Sequence, residues 1–164
     1  RDLHKEYRRQ RQMCIRDRFK SVVHTTSLVI PHMQKNKWGR IINVTSVSVK
    51  EPLNYLVLSN SIRSAVVAWA KSLSVDIGKD GITINSILTG YFDTERIKEL
   101  NKEKSKSLNI SEDEVLEKMK SLVPLNRLGK PEEYGYLVSF LSSDKASYIN
   151  GASIPIDGGL LKSY

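Results

Sequence analysis

The chain has 164 residues, of which 40% are apolar and 27% charged, and it carries a single cysteine, Cys14. This is globular composition with enough length for one core, and it excludes collagen-like, low-complexity and disulfide-framework proteins. The net charge is +8, a basic excess that taken alone suggests nucleic acid or an anionic membrane. The excess is uneven: residues 1–18 hold seven basic side chains against three acidic ones, half of the net charge. That arm is weakly apolar and has no clear period. It lacks the apolar run of a secretory signal. Three readings stand: a phosphate-gripping arm, a solvated tail, or a foreign segment. The string Arg8-Arg9-Gln10-Arg11-Gln12-Met13-Cys14-Ile15-Arg16-Asp17-Arg18 resembles translated sequencing-adapter read-through. The third reading fits it best, making 1–18 a non-native or disordered basic arm and 19–164 the functional domain. Nucleic acid is then not an expected partner.

From Phe19 the pattern turns helical. Phe19, Val22, Val23, Thr26, Val29, Ile30 and Met33 recur at three- and four-residue steps, with Pro31 as a kink. Arg40 to Ser46 is short, apolar and rich in β-branched residues, a buried strand. Pro52 and Asn54 mark a loop, and a helix from Ser59 to Ile77 follows, with Ile62, Ala65, Val66, Trp69, Ala70, Leu73 and Ile77 on one side. Gly78 stands where a helix cap with positive φ is expected. A second strand runs from Ile82 to Leu88. The alternation of helix and strand predicts right-handed crossovers and a parallel sheet. Residues 94–123 predict one or two exposed helices, with capping-box spacing between Ser111 and Glu114. Pro131-Glu132-Glu133 opens another helix, which buries Tyr134, Leu137, Val138 and Leu141. Gly151 to Ile156 is a last strand. No apolar run is long enough to span a bilayer, and no Cys, His or Asp cluster has metal-ligand spacing, so no metal is expected. His24 and His32, eight apart on one helix, read as packed or surface side chains. A cytoplasmic location fits the lone cysteine.

Five segments in register then carry a resemblance. They are Trp38-Gly39-Arg40-Ile41-Ile42-Asn43-Val44-Thr45-Ser46, Gly81-Ile82-Thr83-Ile84-Asn85, Thr89-Gly90-Tyr91-Phe92-Asp93-Thr94, Pro124 to Glu133, and the pair Tyr148-Ile149-Asn150-Gly151 with Ile156-Asp157-Gly158-Gly159. From Phe19 to Gly159 the chain resembles the C-terminal half of a short-chain dehydrogenase/reductase of the 3-oxoacyl carrier-protein reductase type. The resemblance implies an α/β fold of Rossmann type. It is a doubly wound parallel sheet of order 3-2-1-4-5-6-7, of which this chain supplies strands 5 to 7. It implies an NAD- or NADP-dependent oxidoreductase acting on an alcohol or carbonyl in the full-length parent. It also implies a homo-oligomer paired through the helices at 19–35 and 59–77. The glycine-rich pyrophosphate turn belongs to the other half of such a domain, so this chain alone is expected to bind no dinucleotide.

In the family a serine orients the substrate oxygen. A tyrosine thirteen residues on carries the proton, and a lysine four residues later tunes that phenol and binds the nicotinamide ribose. Here these positions are Ser46, Ser59 and Arg63. A phenol is tunable toward neutrality, whereas an aliphatic hydroxyl is far less acidic and arginine stays charged. Leu58-Ser59-Asn60 with the later Arg63 resembles a divergent subgroup. The resemblance gives Arg63, Thr89, Gly90, Phe92 and Thr94 as cofactor contacts. Phe92 either offers its backbone N–H to the carboxamide or fills the core, and Thr94 either meets the carboxamide or caps the next helix. Tyr55 reads as a tyrosine at the cleft rim. The family's catalytic asparagine falls near position 18, where this chain has Arg18. The reading from another class is a catalytically dead family member that binds a nucleotide or serves as an oligomer partner.

Overall fold

The computed structural model describes residues 11–54 and 56–163. Helical structure begins before Phe19: residues 11–15 are helical and run through a π-helical segment, Arg16–Lys20, into α1, Ser21–Asn36. Pro31 lies inside α1. Three parallel strands follow in the order β1-β2-β3: β1 Gly39–Val44, β2 Ile82–Thr89 and β3 Ser153–Ile156. Register pairs Gly39 with Ile82 and Ser86 with Ser153. Helix α2, Val57–Ile77, joins β1 to β2. Helices α3, Glu95–Leu108, α4, Glu112–Ser121, and α5, Pro131–Leu141, lie between β2 and β3. This is the expected half of a Rossmann-type α/β sheet.

β2 is buried at every position but its last, Ile82, Ile84, Ile87 and Leu88 interspersed with buried Thr83, Asn85 and Ser86, as in a strand covered on both faces. On one face Ile82 and Ile84 pack with Ala70 and Ile77 of α2, flanked by Ile30 and Met33 of α1. On the other, Ile87 packs with Leu141 of α5 and Ala146, flanked by Tyr134, Leu137 and Val138. Ala65 is the exception to the expected apolar face of α2: it is exposed.

Two asparagines explain why the segment before β3 has its sequence. Asn150 accepts the Ile84 N–H at 3.0 Å and donates to Ser74 O at 2.9 Å. Asn85 donates to Ile149 O at 2.8 Å and accepts the Ala152 N–H at 3.0 Å. The amide side chains supply ladder bonds where β3 has not yet begun, so the edge of β2 keeps its partners.

Gly78 corrects an expectation. Its φ is −59°, ordinary helical backbone, because the chain winds on through a 3-10 turn, Gly78–Asp80. The left-handed position is Gly81, φ +73°, where an added Cβ would lie 2.3 Å from Lys37 O. The capping box of α4 forms as its spacing requires, with Ser111 Oγ accepting the Glu114 N–H and Glu114 accepting the Ser111 N–H.

Candidate active site

The residues singled out from the sequence lie on the segments that follow the C-terminal ends of β1 and β2, the end of the sheet at which ligands bind in open α/β folds. Thr45 carries β1 past its last paired residue by giving both its N–H and its hydroxyl to Ile87 O, each at 2.9 Å. Ser46 then starts a 3-10 turn, Val47–Val49, and its Oγ accepts the Ser48 N–H at 3.1 Å. A hydroxyl that accepts there keeps its own proton free to donate.

Ser59 sits in the first turn of α2, and Arg63 follows one turn later on the same side of the helix. Ser59 Oγ accepts from Arg18 Nη1 at 2.8 Å, and Arg63 Nη1 reaches Val44 O at 3.5 Å. Burial, and then the like charge of Arg18, hold the Arg63 guanidinium below its usual value, while the Tyr134 phenol acts in the opposite sense. Arg63 remains a cation. A cavity of about 190 Å³ lies among Asp17, Arg18, Asn43, Val44, Thr45 and Arg63. The Nδ2 of Asn43, a buried side chain, has no hydrogen-bond partner among the described residues. The wall thus offers the Arg18 and Arg63 guanidinium groups and the Asn43 amide as donors beside the Asp17 carboxylate, which suits a ligand rich in hydroxyl groups.

The second group stands at the end of β2. Thr89 is its last residue. Gly90 donates to Ile156 O at 3.0 Å, and an added Cβ would lie 2.6 Å from Asp157 Cα, so two backbones meet there with no space for a side chain. Phe92 forms a bridge with Gly129 in which Tyr91 O and Asp93 N make the bonds, leaving its own N–H outside that pairing. The Phe92 ring is buried edge-on against Tyr134, with centroids 5.3 Å apart and planes at 81°. Thr94 caps α3, its Oγ1 accepting the Ile97 N–H at 3.4 Å. Tyr55 lies outside the described residues. His24 and His32 are exposed, and among the described residues no group of three or more His, Cys, Asp or Glu is placed to hold a metal. No described helix is long and apolar enough to cross a membrane.

Sequence reasoning placed Tyr134 in the core but missed its hydroxyl, which meets Thr89 Oγ1 at 3.1 Å. Burial raises this phenol's pKa above its ordinary value, against the Thr89 bond and the nearby Arg63. The signal was available: a tyrosine on a buried face needs a partner for its hydroxyl.

Comparison with known proteins agrees with this fold. A family model described as Enoyl-(Acyl carrier protein) reductase matches residues 3–161. NADPH-dependent reductase BacG of Bacillus subtilis is 34% identical over 131 residues, 80% of this chain and 51% of its own length. The 3-oxoacyl-[acyl-carrier-protein] reductase FabG of Pseudomonas aeruginosa is 31% identical over 147 residues, 87% of this chain and 53% of its own. L-sorbose reductase from Gluconobacter frateurii, solved with NADPH and L-sorbose, superposes with a TM-score of 0.89 at 27% identity, covering 95% of this chain and 60% of that one. The chain spans about half the length of the curated relatives it matches. Sheet order, the segments at the sheet's C-terminal edge and these matches together establish that the chain belongs to the short-chain dehydrogenase/reductase family.

Proposed function

We propose that the protein of which this chain forms a part is an NAD- or NADP-dependent oxidoreductase that interconverts a carbonyl compound and its alcohol, with a 3-oxoacyl-type carbonyl as the model substrate. The observation that carries the reading is membership of this family, with Ser46 opening the turn after β1 and Ser59 and Arg63 one turn apart at the start of α2. BacG, named an NADPH-dependent reductase, the sorbose reductase solved with NADPH, and FabG, named a 3-oxoacyl-[acyl-carrier-protein] reductase, support it. This cavity, with its donors and one carboxylate, fits the hydroxyl groups at the ribose end of a dinucleotide, which supplies hydride when bound. Arg63 and the unpartnered Asn43 amide would hold its oxygens. Gly90, the Phe92 N–H and Thr94 would face the carboxamide from the end of β2, with Thr89 beside them.

Each residue's chemistry follows from its surroundings. Ser46, whose oxygen is already occupied by the Ser48 N–H, directs its proton at the substrate oxygen. Ser59, in the first turn of α2, places its proton, or a water it holds, at the same oxygen. An alkyl hydroxyl is a much weaker acid than a phenol, so proton delivery here is slow unless the oxygen already carries negative charge.

The test is carbonyl reduction by the gene's full-length product, followed by loss of NADPH absorbance. Ser59→Ala is expected to lower kcat, and Ser59→Tyr with Arg63→Lys to raise it. Cofactor binding with no turnover, unchanged by Ser59→Ala, would identify a binding or partner protein instead of an enzyme.

The same proposal includes a cytoplasmic homo-oligomer. Leu28 and Val29 on α1 and Val57 and Val75 on α2 are exposed apolar side chains, and a second copy would cover them. Val75→Lys is expected to reduce the mass measured by light scattering; an unchanged mass removes that face from the interface.

A further inference from the structure

Among the described residues beyond β3 there is neither helix nor strand, yet every amide from Gly159 to Ser163 has an acceptor. Gly159 N–H goes to Asp157 Oδ1 at 2.9 Å, Leu160 N–H to Asp157 O at 3.3 Å and Leu161 N–H to Asp157 Oδ2 at 2.8 Å. These bonds are local. The last two are not: Lys162 and Ser163 both donate to Glu51 Oε1, each at 2.7 Å, across 111 and 112 residues. Such charge-assisted bonds to a carboxylate are short and strong for their kind.

Glu51 stands at a junction. Its own N–H donates to Val47 O at 3.1 Å, tying it to the turn that Ser46 opens. Pro52 and Leu53 follow it, and the loop is closed onto α2 by Asn60 Nδ2 on Leu53 O at 2.9 Å, next to Ser59. At its other end the strap 157–163 passes the segment after α4: Leu125 N–H donates to Gly158 O at 3.3 Å, and a Cβ on Gly158 would lie 2.7 Å from Val123 Cγ1. Lys162 and Ser163 are themselves exposed and add nothing to the core. The bonds to Glu51 therefore act on the loop and not on the global fold.

We infer that Glu51 is a positioning residue that clamps the strap 157–163 to the loop between Ser46 and Ser59, joining that loop and the Val123–Leu125 segment into one wall on the substrate side of the site. The inference rests on the reductase reading for its consequence in catalysis, but not for the clamp. Glu51 acts through the loop and touches no reacting atom.

Amide exchange measured by NMR on the 164-residue chain tests it. Glu51→Ala is expected to speed exchange at Lys162 and Ser163, and at Leu56, whose N–H donates to Leu53 O, by about tenfold, with the core amide of Ile84 unchanged as the control for folding. Glu51→Gln keeps an acceptor oxygen and is expected to behave as the unaltered chain. Ser163→Pro removes one donor without touching Glu51 and is expected to loosen Leu56 as well. Unchanged exchange at Lys162 and Ser163 in Glu51→Ala, or freed strap amides with Leu56 unmoved, overturns the inference. In the full-length protein, Glu51→Ala is expected to raise KM about tenfold with kcat nearly constant, restored by Glu51→Gln. A fall in kcat at constant KM overturns the positioning role. If the unaltered protein reduces no carbonyl, the reductase reading fails, and the exchange experiment still decides the clamp.

Discussion

Arg127 and Glu133 form a two-pronged ion pair, Nη1 to Oε2 at 2.8 Å and Nη2 to Oε1 at 2.6 Å, across the turn that leads into α5. Glu133 also accepts the Lys130 N–H at 2.7 Å. The guanidinium first, and then the amide, hold the Glu133 carboxyl at about 2, below its ordinary 4.5. A carboxyl depressed in the folded state adds stability above its unfolded value and loses it as pH falls through the folded one. Glu133→Gln should therefore lower Tm at neutral pH, modestly because the pair is solvent-exposed. The gap between the two proteins should close as pH is taken from 4.5 toward 2. Circular dichroism melts at several pH values check this; a gap independent of pH would assign the loss to something other than the charge.

Asn150→Ala removes the acceptor of the buried Ile84 N–H and the donor to Ser74 O together. An orphaned buried amide and a lost pair cost about 1–3 kcal/mol. Urea unfolding is expected to show that loss. Asn150→Asp should restore only the Ile84 half.

Leu141 is almost wholly buried against Ile87 and Ala146. Leu141→Ala should cost about 2–5 kcal/mol as transfer and cavity terms add. Leu141→Met, which keeps the volume, should cost less than about 1.5 kcal/mol. Equal losses for both would mean that this face of the sheet is loosely packed.

At Gly90 the obstacle to a side chain is main chain, Asp157 Cα and Ile156 O, and neither can swing aside. Gly90→Ala is expected to separate the ends of β2 and β3 and to lower Tm more than Gly135→Ala, where nothing lies within 4 Å of the added carbon. Since Gly135 lies within a helix, its alanine should raise Tm slightly. The paired melts test both signs.

The parallel sheet, its flanking helices and the Ser111–Glu114 box were legible because each rests on local spacing: a period of 3.6, a β-branched run, a cap three residues from its partner. Ser46, Ser59 and Arg63 were singled out through the family's segments and not through any local period. Gly78 was misread because a 3-10 turn lets the helix continue past the glycine, so the left-handed step falls three residues later. Tyr134 on Thr89 and Glu51 on the strap were not legible. Both join a side chain to a distant partner, and no periodic pattern records such a bond.

β1 pairs with β2 alone among the described residues, and Val44 at its end is 61% exposed. An unpaired strand edge is a template for another chain. The 164-residue chain should thus form concentration-dependent aggregates, visible by light scattering, and Val44→Lys should suppress them. Aggregation untouched by that change would point to the exposed helix faces instead.

The strand register has a kinetic consequence. Gly39 must find Ile82, and Ser86 must find Ser153, before either pairing yields a ladder bond. Each search closes a loop of dozens of residues while the helices between form in microseconds, so chain collapse outruns sheet assembly. Refolding should be slow relative to helix formation, with far-ultraviolet ellipticity recovering before the Trp69 environment settles. The time spent with β2 unpartnered, more than the stability of the finished sheet, then limits how much folded protein a cell obtains from this chain.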